Sequence, residues 1–403
     1  MDVKRLGLIA SLVGCGFHSS AGQAPSDGSV PPVLDAPDAS IDAPDAMVLP
    51  DAQSCFGTGL LKGVCLVPLP SAPVTLPRGN AVINTDATGG ANCDRLVTQT
   101  GGGPQLCVIA GTTITVTGSI AATGGHPLVL VGTQTVTIAA GSTLDVSSTA
   151  TPRRVGAGSN QGCTGAGING ADDTGGGGGG AGGSFGTIGG KGGVGDTNNN
   201  GNPNGSAPGG TPVAAQPTPT VLRGGCSGGR GGAPDNMHAG GTAGDGGGAV
   251  YLIAGSKITV AGNVFASGAG GGASTGNGGA EQGAGGGGAG GMIGFDAPMI
   301  QVDGLVVANG GAGAGGGGVS GGEDGGDGTT TMWDKRAVSG KGNQNPSGNG
   351  GDGADGTAIN MVGQLDGANS VGGGGGGAGG LGLIWTYGIL TGGATTSPAL
   401  TQR

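Results

Sequence analysis

Glycine limits what this chain can fold into more than any other feature. It fills 107 of 403 positions, and it is gathered into tracts at roughly 150–247, 272–290 and 312–380. A residue without a side chain adds nothing to a hydrophobic core and loses the most freedom when ordered. Only 10% of the chain is charged and 2% aromatic, against about 25% charged in an ordinary domain. A conventional broad core is therefore excluded, and order has to come from somewhere else.

Between the tracts stand five apolar segments on one plan: 105–125, 127–148, 249–271, 291–311 and a degenerate closing copy at 381–399. Each is an apolar strand, a small turn, an Ile/Val-x-Val/Ile strand, a second turn and a third short strand. Alternation of period two puts Ile258, Val260, Val264 and Ala266 on one side, the signature of strands. One copy cannot bury its inward face, but stacked copies can. The expected class is all-β: a parallel β-helix-like stack of about five coils of ~20 residues. An antiparallel sandwich is the alternative, and it fits the matching phase of the copies less well.

The tracts enter at one phase, after the third strand, and should leave from one corner of the stack. GGRGGAP, GGKGGVG and GGGGGGAGG approximate Gly-Gly-x triplets. A period of three suits polyglycine II, an extended helix with three residues per turn and no internal hydrogen bonds. Such rows must bond to neighbours. The alternative for the tracts is disorder.

The N-terminus reads as an address. Lys4 and Arg5, the apolar run from Leu6 to Val13 and the sequence Leu12-Val13-Gly14-Cys15 match a signal peptide over 1–15, and a Cys at that point predicts lipidation of Cys15. Residues 16–53, with DAPDASI followed by DAPDAMV, form an acidic Asp/Ala/Pro tether. Residues 54–403 form the folded domain. Its six remaining cysteines allow 15 pairings, and nearest neighbours give Cys55–Cys65, Cys93–Cys107 and Cys163–Cys226. Disulfides imply export. The formal net charge of -10 argues against nucleic acid. The expected partners are a membrane, reached through the lipid, and an envelope or extracellular polysaccharide or another surface protein. The expected location is the outer membrane or cell surface.

Parallel β stacks often carry polysaccharide lyases and hydrolases, which need converging acids or an acid with a base. Asp296 and Asp303 read as solvated turn residues, Asp145 has no counterpart in the next copy, Lys257 precedes Ile258, and Lys335 and Arg336 lie in a tract. No catalytic set, cofactor or metal site is expected. Asp355, in GGDGADGTA, is a weak calcium candidate, because calcium rolls need tandem copies. Trp385 and Tyr387 read as a cap on the column's end, Trp333 as a partner anchor or edge cover, His126 as a turn residue, and Arg153 and Arg154 as solvent-facing.

The lipobox, the Asp-Ala-Pro-Asp-Ala tether, the paired cysteines with glycine tracts and Leu-Val-Leu-Val-Gly-Thr-Gln-Thr-Val-Thr-Ile together resemble glycine-rich surface lipoproteins of myxobacteria and their relatives. The tracts resemble the polyglycine-type domains of mycobacterial glycine-rich surface proteins. The resemblance is compositional and implies a structural or adhesive role at the cell surface without catalysis. The competing expectation is a carbohydrate-active β-helix enzyme.

Overall fold

The computed structural model describes residues 54–196, 206–234, 238–274, 281–318, 321–328, 336–342 and 372–403, all within the unit spanning residues 50–403. Among them there is no helix, and the two large sheets are mostly parallel. Cys15, the tether, Trp333, Lys335 and Asp355 lie outside the described residues.

Each apolar segment contributes one long strand, or two collinear ones, to a first sheet and one short strand to a second. The long strands are β6 (Leu106–Val116), β8 (Leu128–Ile138), β10 with β11 (Ala249–Ala254, Lys257–Val260), β13 (Met292–Val302) and β15 (Leu383–Thr391). They pair in parallel, in that order. The short strands β7 (Ser119–Thr123), β9 (Thr143–Asp145), β12 (Asn263–Phe265), β14 (Leu305–Val307) and β16 (Thr395–Ser397) pair in the same order in the second sheet.

Three separate strands per copy were expected. In β6, β8 and β13 the first two run on as one, with a register shift against the neighbouring copy between Gly111 and Thr113 and between Asp296 and Met299. A sixth, partial copy precedes the five: β3 (Val74–Leu76) pairs with β6 and β4 (Val82–Asn84) with β7. At the far end β17 (Thr401–Gln402) covers β15.

The two halves of the long strand bury their side chains differently, and the sequence follows suit. In the second half one face is covered, so residues alternate: Ile114, Val136, Ile258 and Ile300 stack inward on one ladder, each fully buried. Ile120, Leu144, Val264 and Val306 do the same on the second sheet. In the first half both faces are covered, so Ala-Val-Tyr-Leu-Ile-Ala of β10 is buried throughout. Such a run carries no alternation. Val250 and Leu252 face the column, while Ala249, Tyr251 and Ile253 join a second core with Leu61, Val64, Leu66, Phe185 and Leu222. Burying each such aliphatic side chain contributes about 1.5–3 kcal/mol.

The second core is roofed in part by an antiparallel hairpin, β1 (Ser54–Phe56) with β2 (Val64–Leu66). Trp385 belongs to this outer core, 3% exposed, under the Arg403 guanidinium at 4.3 Å. It is therefore not the cap on the column's end that its position in the closing copy suggests. Gly294 separates Tyr251 from Trp385 on the ladder, and a Cβ there would overlap the Tyr251 ring.

The glycine tracts leave after the short strands and return to the start of the long ones: 266 onward follows β12 and 291 precedes β13, while 308 onward follows β14 and 382 precedes β15. Along the tracts the hydrogen bonds recur every third residue, as in the tract between β9 and β10. Gly177, Gly180 and Gly183 donate to Glu281, Ala284 and Gly287; Gly178, Ala181 and Ser184 to Ala171, Ile168 and Gly165; Gly179, Gly182 and Phe185 to Gly193, Gly190 and Thr187.

The row from 281 to 291 is bonded more completely still. Each N–H from 283 to 291 donates at 2.7–3.0 Å, in rotation, to rows 226–232, 374–380 and 266–272. Each carbonyl from 281 to 289 accepts, in rotation, from rows 177–183, 311–317 and 241–247. Six neighbours surround one row, three taking its protons and three giving theirs. This answers the accounting problem that buried glycine poses, since these N–H and C=O groups each find a partner. It also explains the composition. A Cβ on Gly180 would overlap Gly229 O, and one on Gly182 would overlap Ala378 O.

The cysteines stand at bonding distance as Cys55–Cys65 and Cys93–Cys107, both 2.03 Å, and Cys163–Cys226, 2.28 Å. The third closes the chain segment that supplies rows 165–171, 177–185 and 187–195.

Candidate functional site

The acids singled out from sequence do not converge. Each is held by its own local partners. Asp145 is paired with Arg154 and accepts from Ser147 N at 2.9 Å; Phe265 occupies its place in the next copy. Asp303 accepts from Gln301 Nε2 at 2.7 Å. Arg154 is thus engaged and largely covered, not solvent-facing, while the exposed Arg153 side chain reaches Asp245 at 3.0 Å. Lys257 donates to Gln301 Oε1 at 2.8 Å. His126 sits beside Asp86, Nε2 to Oδ1 3.9 Å.

Asp296 corrects the sequence reading most. It is not a solvated turn residue. It lies inside β13 at the register shift and is 2% exposed. Its carboxylate accepts from Thr58 N (2.9 Å), Thr58 Oγ1 (2.9 Å), Gly59 N (2.7 Å) and the Tyr251 hydroxyl (3.3 Å). Tyr251 in turn accepts from Leu60 N at 3.2 Å. The group fastens the hairpin's loop to the sheet. A cavity of about 670 Å³ opens beside it, lined by Leu60, Lys62, Gln99 and Tyr387 among others.

This fastening makes the fold sensitive to base. Burial, and next the Asp296 charge, push the Tyr251 hydroxyl far above its ordinary value, and burial raises Tyr387 too. A tyrosine in the unfolded chain loses its proton near pH 10. Above that pH the folded state holds more protons than the unfolded state, so stability falls as pH rises. The urea midpoint is expected to drop between about pH 9.5 and 11. Replacing the only two tyrosines, Tyr251→Phe with Tyr387→Phe, should lower the starting stability and flatten the decline. An equal decline in the double variant would rule the explanation out.

The feature that best suits a ligand lies on the flank of the glycine lattice. Residues 242–245 line one part of a polar groove of about 800 Å³, whose lining also includes Arg153, Asn160, Asn169, Arg230 and Asp324. Asp245 is 8% exposed, held by Arg153 and by Asn160 Nδ2 at 2.9 Å. The Asp245 carboxylate in turn raises the Arg153 pKa, first by hydrogen bonding and then by its charge.

In and beside the groove, side chains spaced three apart satisfy the outward N–H groups of the next row. Asn169 and Asp172 accept from Arg230 N (2.8 Å) and Ala233 N (2.7 Å). Asp327 and Asp324 accept from Gly270 N (3.0 Å) and Ala273 N (2.7 Å). Unpaired edge groups invite another chain, and here Asn and Asp occupy them. None of these groove residues was singled out as binding. The available signal was the three-residue spacing of Asn169 with Asp172 and Asp324 with Asp327, which matches the triplet period of the rows.

Compared with models of known protein families, with curated proteins and with solved structures, the chain matches none.

Proposed function

We propose that this protein is a non-catalytic module of the cell envelope, anchored through lipid at Cys15, held off the membrane by the acidic tether and serving a structural or adhesive role. In this reading the two sheets are the walls of a parallel β-helix, and the glycine rows are polyglycine II helices packed against one corner. The observation that carries the proposal is the continuous hydrogen bonding of row 281–291, its N–H groups from 283 to 291 and carbonyls from 281 to 289 all paired with six surrounding rows. A lattice that meets its own backbone needs gives a rigid, side-chain-poor surface, and such a surface suits repeated shallow contact rather than the enclosed, converging groups of a catalytic cleft. The residues on the flank groove are of the type that hydrogen-bonds sugar hydroxyls or an extended chain. The likeness to glycine-rich surface lipoproteins, and the three cysteine pairs, suit an exported location.

The test is binding of the purified protein to isolated cell envelope and extracellular polysaccharide. Saturable binding that weakens at least tenfold, about 1.4 kcal/mol, in the groove variant Arg153→Ala/Arg230→Ala supports adhesion through this face. Binding unchanged by the variant removes the groove from the proposal. Absence of binding leaves a passive coat, and release of new sugar ends would favour the enzyme reading instead.

A further inference from the structure

Arg223 is the one fully buried cation among the described residues, 3% exposed, and within that set it makes no ion pair. Its guanidinium lies over the Phe185 ring at 4.5 Å and donates to Gln216 Oε1 and to Gly224 O at 3.3 Å. Its nearest unusual neighbours are sulfur atoms. Nη1 is 3.4 Å from Cys163 Sγ and 3.5 Å from Cys226 Sγ. A cavity of about 590 Å³, lined by Gly162, Gln216, Thr218, Thr220 and Arg223 among others, adjoins this cluster. A buried charge ordinarily needs a counter-charge. Among the described residues no carboxylate provides it.

We propose that Cys163–Cys226 is a thiol-exchange site, at which an external small thiol forms a mixed disulfide with Cys163 while Arg223 stabilises the thiolate released on Cys226. The incoming thiolate attacks Cys163 Sγ, on the half-buried cysteine of the pair, whereas Cys226 is fully buried. A new S–S bond forms there, the Cys163–Cys226 bond breaks, and its electron pair leaves on Cys226 Sγ. The proton of the incoming thiol goes to solvent. A second external thiolate that attacks the mixed disulfide releases the external disulfide and completes a two-electron reduction. A neighbouring cation lowers a thiol's pKa, and a better leaving thiolate speeds exchange. The released anion is also the partner Arg223 lacks. Burial lowers the Arg223 pKa, in keeping with a cation that has no carboxylate partner among the described residues.

The other two bridges offer the contrast. Cys65 Sγ lies 3.2 Å from Gly63 O and Cys93 Sγ 3.3 Å from Thr85 O, and carbonyl oxygens oppose a thiolate. Cys163 Sγ also has a carbonyl near it, Gly225 O at 3.5 Å, but among the described residues this pair alone has a cation as well. Opening it frees the ends of the segment that carries three rows of the lattice, so exchange would loosen one part of the surface and leave the column intact.

The experiment exposes the folded full-length protein to reduced glutathione, the probe thiol, and locates adducts and free cysteines by mass spectrometry. The expected result is a glutathione adduct on Cys163 before either other pair opens. In Arg223→Met exchange at this pair should slow by about tenfold or more, and in Arg223→Lys, which keeps the charge, it should change far less. The alkylation rate of Cys226 against pH should report a thiol titrating below about 8.5, the ordinary value. The proposal is overturned if the other pairs open first, if Arg223→Met exchanges as fast as the parent, or if Cys226 titrates at or above the ordinary value. The pH profile of the parent protein decides the matter if Arg223→Met does not fold.

Discussion

Gly180→Ala is expected to lower the unfolding free energy by about 3 kcal/mol, the upper range for overpacking a close-packed interior, while Gly393→Ala changes it by no more than about 0.5 kcal/mol. The two substitutions are chemically identical and differ only in surroundings. A Cβ on Gly180 would overlap Gly229 O, a backbone atom on a row that is itself bonded at Gly229 N to Ala181 O. The obstacle cannot swing aside as a side chain could. At Gly393 nothing lies within 4 Å of the added carbon. Chemical denaturation of the two variants checks this. Equal, small effects would mean that the rows do not touch as described.

Removal of the long-range bridge should have the largest effect. By chain entropy, Cys163→Ser/Cys226→Ser should destabilise the protein by roughly 4 kcal/mol, because the closure spans a sequence separation of 63 residues and a longer loop leaves more freedom to the unfolded chain. Cys55→Ser/Cys65→Ser, across a separation of 10, should cost about 2.5–3 kcal/mol on the same model. The order of the two losses, measured by denaturant unfolding, is the firmer expectation. A greater loss from the short bridge would show that native contacts, not loop closure, set these values.

The parallel strands were legible in the sequence because their grammar is local. Ile258, Val260, Val264 and Ala266 alternate, and all are fully buried on one side. The glycine triplets carried their own period in the same way, which the hydrogen bonds of rows 177–185 and 281–291 repeat. What was not legible depends on residues far apart in the chain or on faces that alternation conceals. Asp296 meets Thr58 across 238 residues, so nothing beside it in sequence marks it as buried. The run from Ala249 to Ala254 reads as one apolar strand, yet its lack of alternation reports a second core on its outer face. The partial first copy is hidden by prolines, since Val74–Leu76 lies between Pro73 and Pro77, residues that ordinarily mark a strand's limits. Arg223 gave one faint sign, a single charge between Leu222 and glycine, and only the fold shows it against two sulfurs.

The groove illustrates the same division. The spacing of Asn169 with Asp172 and of Asp324 with Asp327 was present in the sequence. Its meaning required knowing which row lies opposite, because the N–H groups that these side chains satisfy belong to rows 51 to 61 residues away.

The central claim is that the glycine tracts are a hydrogen-bonded lattice and not loops around a thin column. Hydrogen exchange on the full-length protein, read by mass spectrometry, tests it most directly. Amides at 177–185 and 283–291 should be protected to a degree comparable with Leu128–Ile138 and Met292–Val302, because their N–H groups are bonded on every side and open only with the larger unit. Exchange of those glycine amides at the rate of an unfolded chain, with protection confined to the strands, would contradict the account.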